Sequence, residues 1–142
     1  IFIGGVSNLL LISQGVLHFD PWYEPRVIIP IAGMIFSNSM NTVSLAGERL
    51  FSELAHHQEY HRARNIAFQT SLIPITNSLL AVGLVSLPGM MTGQILAGTS
   101  PLVASRYQIM VMCMIFSSSG ISAAMFLWLL KHQISKITVK TH

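Results

Sequence analysis

Three histidines and two glutamates gather in the most polar piece of the sequence: Glu53, His56, His57, Glu59 and His61. On one continuous helix Glu53, His57 and His61 would be spaced by four and line one face, the arrangement of a surface metal site. A zinc hydrolase does not fit, because His57-Gln58-Glu59-Tyr60-His61 puts the glutamate one place too late for the His-Glu-x-x-His pattern. Such a run is more often a solvated face than a ligand set, so His57 and His61 stand only as metal candidates. No nucleophile has a base at a telling spacing, so the chain is not expected to be an enzyme by itself.

A softer chemistry is offered by eight methionines and the single Cys113. Thioethers suit soft transition metals, but methionine is also a routine filler of apolar bundles. Met110, Met112 and Met114 alternate along a helix and cannot share a face, so they read as core. Met90 and Met91 are different, because they sit in Ser86-Leu-Pro-Gly-Met-Met-Thr-Gly-Gln-Ile-Leu-Ala-Gly-Thr-Ser-Pro101, where Pro88, three glycines and Pro101 interrupt an apolar segment. In a bilayer every freed backbone group must find a partner, so a break at membrane depth is tolerated mainly where it lines a cavity. Gly89 and Gly93 also fit a small-xxx-small helix contact. Gly93 to Ser100 has the glycine spacing of a phosphate loop, but Thr99 stands where the lysine belongs and no strand precedes it, so it is not read as a nucleotide site.

These residues need a membrane scaffold. Of 142 residues 51% are hydrophobic and only 9% charged, against about 25% charged in soluble domains. One cysteine gives no disulfide framework. The eight Lys and Arg are scattered singly, which is no nucleic-acid signal despite the net charge of +3. The fold class predicted is all-α, a polytopic transmembrane helix bundle, one domain over 1–142. Its four membrane segments are placed at about 1–17, 27–43, 66–87 and 107–130. The first is short of the roughly 20 residues of a full span and is expected to be truncated, with more chain before it. His18 to Arg26, with Trp22 and Tyr23, reads as an interfacial loop.

The second span carries Ser37, Asn38, Ser39, Asn41 and Thr42, which should face a bundle or a wet cavity. It is expected to continue as one amphipathic extension over 44–64, from Val43, Ala46, Leu50 and Leu54 at helical period. The third runs into the Pro88-Gly89 break. Ser100 is placed to cap a helix that begins at Pro101, and Ser117 to Ala124 is a run of small residues suited to close helix contact. If the extension and the C-terminus share a side, that side holds Arg49, Arg62, Arg64, Lys131, Lys136 and Lys140 against Arg26 and Arg106 on the other. Six against two makes the first side cytoplasmic.

The run Gly83-Leu-Val-Ser-Leu-Pro-Gly-Met-Met-Thr-Gly-Gln-Ile-Leu-Ala-Gly98, with Ser100-Pro101 and Tyr107-Gln108, closely resembles the signature of the FetB-type permeases, membrane subunits of iron-export ABC transporters. Pro21-Trp-Tyr-Glu-Pro-Arg26, Asn38-Ser-Met-Asn41, Glu48-Arg-Leu50, Ser52-Glu-Leu54, Leu72-Ile-Pro74 and Asn77-Ser78 agree in order. The resemblance implies a multi-pass permease of the inner membrane, a separate cytosolic ATP-binding subunit, and export of iron or a related metal. ATP would bind that partner, and this chain would bind no cofactor; a homodimer of permease subunits is expected. Plant relatives associated with a nucleotide sugar make an organic anion the alternative cargo, and a non-transporting anchor for an ATPase is a third reading.

The family's longer stretch between the counterparts of Glu53 and Leu72, ending in Leu-Ala-Leu-Gly-Ala-Thr, is replaced here by Ala55-His-His-Gln-Glu-Tyr-His-Arg62. ATPase docking is accordingly assigned to Glu53, Glu59 and Arg62. The substrate path is assigned to Asn38, Asn41, Asn77, Met90, Met91, Thr92 and Gln94, polar or soft groups near helix breaks.

Overall fold

A computed structural model describes residues 25–82 and 88–140, with side chains described within 29–82 and 88–132. The expected first span, 1–17, and most of the residues entering the break, 83–87, lie outside the described residues. Every regular element among those described is a helix: α1 Pro25–Ala55, α2 Tyr60–Ala81, the short α3 Gly89–Leu96 and α4 Pro101–Lys140. The all-helical bundle expected from composition is what the chain forms.

Helix α1 packs against both α2 and α4, so the three long helices make one bundle, and α3 lies on α4. At about 1.5 Å per residue, 40-residue α4 is about 60 Å long, twice a hydrocarbon core of about 30 Å. Among the described residues one stretch, Pro101–His132 with mean hydropathy 1.9, is both long and apolar enough to cross a membrane by itself. Helices α1 and α2 carry polar residues at their centres, which dilute their hydropathy.

The expected extension over 44–64 is not one helix. Helix α1 stops at Ala55 in a two-bond cap in which the His57 amide donates to Leu54 O (3.0 Å) and the Gln58 amide to Glu53 O (3.2 Å). His57 takes the left-handed conformation this needs, with φ +56. A turn later α2 begins, so residues 60–64 belong to the next, antiparallel helix. Helix α4 likewise starts earlier than the span assigned to 107–130. It begins at Pro101, with Ser100 Oγ accepting from the Val103 amide (3.4 Å), as the Ser-Pro pair predicts. Between α3 and α4 the same cap recurs at Gly98, φ +93, with Gly98 N–H on Ile95 O and Thr99 N–H on Gln94 O.

Two apolar clusters sit at different heights. One joins Ile31 and Ile35 of α1, Ile75 of α2, and Val111, Met114 and Ile115 of α4, with Met34, Leu72, Met90 and Met112 packed on it. The other joins Ala46 and Leu50, Ala63 and Ala67, and Ala123 and Leu127 from the same three helices. Small side chains bring the helices close there, and Gly47 leaves room for the Phe126 ring, which lies 3.4 Å from where a Cβ would stand.

Candidate functional site

Between the clusters the buried stripe of each helix turns from aliphatic to hydroxyl. Reading α1 from one cluster to the other gives Ile31, Ile35, then Ser39 and Thr42, then Ala46 and Leu50. Helix α4 gives Val111, Met114, Ile115, then Ser118, Ser119 and Ser122, then Ala123 and Leu127. Antiparallel α2 gives Ile75, then Ser71, then Ala67 and Ala63. Six buried hydroxyls therefore occupy one layer of the bundle, with apolar packing on both sides.

The hydrogen bonds of this layer are incomplete. Ser39 Oγ and Ser118 Oγ join α1 to α4 at 3.1 Å, and either can donate. Thr42 Oγ1 donates to Asn38 O at 2.9 Å and Ser71 Oγ to Phe68 O at 2.8 Å, bonds within their own helices. Ser119 Oγ and Ser122 Oγ are buried with no hydrogen-bond partner among the described residues. A buried hydroxyl left unpaired costs about 1–3 kcal/mol, so a protein keeps two together only where something else meets them. Pro74 adds to the same region, because without an amide hydrogen it cannot pair with the Thr70 carbonyl one turn before it.

The path residues assigned from sequence are placed less centrally. Asn38 is half-buried, its Nδ2 donating to Met34 O at 2.8 Å, while Asn41 and Asn77 lie on exposed faces of α1 and α2. Met90 packs on the first cluster, where it joins Met34, Met112 and Met114. Met91, Thr92 and Gln94 are half-buried along α3, and Thr92 Oγ1 donates back to Pro88 O at 3.2 Å. The hydroxyls of Ser118, Ser119 and Ser122 were legible in sequence only as small packing residues.

At the other end of the bundle Glu53 pairs with Arg49 at 2.7 Å, and Glu59 and Arg62 are exposed beside the α1–α2 turn. The cap at His57 separates it from His61, so the metal face drawn on one helix does not form. Among the described residues no three His, Cys, Asp or Glu side chains converge. His56 Nδ1 lies 2.7 Å from Ser52 O and completes the end of α1. Tyr60 reaches across to α4, its hydroxyl donating to Leu127 O at 2.8 Å. Burial pushes its phenol up, and the nearby Arg64 guanidinium opposes that.

Comparison with known proteins shows the family of the chain. The model of a family described as "Uncharacterised protein family (UPF0014)" matches residues 1–134. A UPF0014 membrane protein of Synechocystis is 46% identical over 122 residues, 75% of this chain and 47% of that protein. An Escherichia coli protein named "Probable iron export permease protein FetB" is 41% identical over 133 residues, 83% of this chain and 50% of its own length. The Arabidopsis thaliana protein ALUMINUM SENSITIVE 3 is 34% identical over 137 residues, 83% of this chain and 47% of its own. The chain thus spans about half the length of the curated relatives it matches. No solved structure matches it.

Proposed function

Because the chain belongs to the UPF0014 family of membrane proteins, we propose that it is part of the membrane-embedded core of an export permease, an ABC transporter subunit that moves iron or a related metal. A separate cytosolic ATPase would bind and hydrolyse ATP, and two permease subunits would pair. The observation that carries the reading is the hydroxyl layer closed off on both sides by apolar clusters. Hydroxyl oxygens and trapped water suit a hard or borderline cation better than they suit an apolar cargo. A site flanked by two plugs is also what alternating access requires, since one plug opens while the other stays shut.

The iron assignment draws on the printed name of the Escherichia coli relative. The count of basic residues supports an orientation with the α1–α2 turn and the end of α4 on the cytoplasmic side. On that orientation the Pro88–Pro101 region, with Met90 and Met91, lies toward the far side and belongs to the exit route. Glu53, Glu59 and Arg62 then face the ATPase.

The test uses the full-length protein with its ATPase in inverted vesicles. ATP should drive iron accumulation, Ser122→Val should abolish it, and Met90→Leu with Met91→Leu should impair it while ATPase assembly persists. No iron movement with ATP would overturn the permease reading. ATPase stimulation by a nucleotide sugar and not by iron would replace the cargo.

A further inference from the structure

A groove of about 450 Å³ opens between α2 and α4, lined by Arg64, Asn65 and Phe68 on one side and by Ala124, Met125 and Trp128 on the other. Its volume lies in the range of about 300–1,000 Å³ that holds a small ligand. Its walls are apolar except at one end, where Arg64 is half-buried. Among the described residues that guanidinium meets no carboxylate, and its one hydrogen-bonding side-chain partner is Asn65 Oδ1 at 3.4 Å. Leaving a half-buried cation without a counter-ion is costly, and its fork of N–H donors matches the oxygens of a carboxylate or a phosphate.

The surroundings favour the same charge. Trp128 is 67% exposed on the outer side of the groove, the place of an aromatic that marks headgroup level. Lys131 and His132 follow on α4, both exposed, and Arg62 stands exposed two residues before Arg64. Among the described residues no acidic side chain lines the groove.

We propose that this groove binds one anionic phospholipid, its phosphate at Arg64 and Asn65 and an acyl chain along Phe68, Met125 and Trp128. It is a basic pocket between membrane helices, the kind of site that selects anionic headgroups. The membrane-family assignment is enough for the inference; only the choice of the cytoplasmic leaflet rests on the orientation proposed above. Lipid there would brace the α2–α4 pair beside the Tyr60 bond to Leu127 O.

The experiment is retention of palmitoyl-oleoyl phosphatidylglycerol against phosphatidylcholine by the full-length protein in mixed nanodiscs, counted by native mass spectrometry after extraction. The wild type should keep phosphatidylglycerol preferentially. Arg64→Ala should lower that retention about fivefold, the size expected of one cation near an anionic surface, and Arg64→Lys, which keeps the charge but not the fork, should recover only part of it. Ala124→Trp, which fills the groove without changing charge, should displace the lipid in an otherwise folded protein. Equal retention by the wild type and Arg64→Ala would overturn the proposal. So would a photocrosslinker at Ala124 that captures another span of the protein or a second copy, because the groove is then a seat for a helix. None of these readouts needs iron to move, so they fail separately from the permease reading.

Discussion

At the scale of single residues, Ser119 and Ser122 hold the sharpest contradiction between stability and use. Each buries a hydroxyl with no partner among the described residues, so Ser119→Ala and Ser122→Ala should leave thermal stability unchanged or raise it by about 1 kcal/mol. Iron flux in vesicles should fall in the same variants; unchanged flux would make the layer mere packing. Ser39→Ala behaves differently, because it strands Ser118 Oγ, and should cost about 1 kcal/mol by denaturant unfolding. Removing both hydroxyls should cost less than the two single losses together, and a double-mutant cycle would read the coupling of the 3.1 Å bond. Individual serines between 117 and 122 were plain in the sequence, and so was their suitability for close packing. Their meeting with Ser39, Thr42 and Ser71 was not, because which residues share a height depends on the register of neighbouring helices, which no one helix encodes.

At the scale of elements, helix ends were legible where a local signal existed. Ser100-Pro101 announced the start of α4, and the structure caps it there with Ser100 Oγ. The end of α1 carries no such mark. Its cap puts a histidine where glycine is usual, and the helical period of Ala46, Leu50 and Leu54 continues smoothly past it into Tyr60 and Ala63. His57 is held at φ +56 by bonds to the last carbonyls of α1, and a side chain in that region costs about 1–2 kcal/mol. His57→Gly should therefore stabilise the α1–α2 turn by up to about 1 kcal/mol, seen as slower amide exchange at Gln58 and a higher unfolding midpoint. Gly98→Ala should do the reverse at the equivalent place after α3, costing about 1 kcal/mol. No rise for His57→Gly would mean that the histidine ring contributes to the turn as much as its backbone costs.

At the scale of the whole molecule, the order of the layers sets the expected motion. Aliphatic packing, hydroxyls, then small side chains with Leu50 and Leu127 follow one another along all three long helices. Ser118 is fully buried in this structure, so a cargo can reach it only if one cluster parts. Two-plug access makes a specific demand on a cysteine placed there, with the exposed Cys113 first replaced by serine. On the proposed permease reading, Ser118→Cys should resist membrane-impermeant thiol reagents from both sides at rest. During ATP turnover it should label, and the reagent side should switch with the nucleotide state. Leu127→Ala removes a large, fully buried side chain from the cluster next to the α1–α2 turn. It should admit reagent from that side alone, even without ATP, while leaving the Ile35 and Ile75 side closed. Labelling from both sides at once would mean that the clusters are not independent gates. A cysteine at 118 that stays inert in every nucleotide state would make the hydroxyl layer a fixed seam between helices, and cargo would then have to cross elsewhere in the full-length protein.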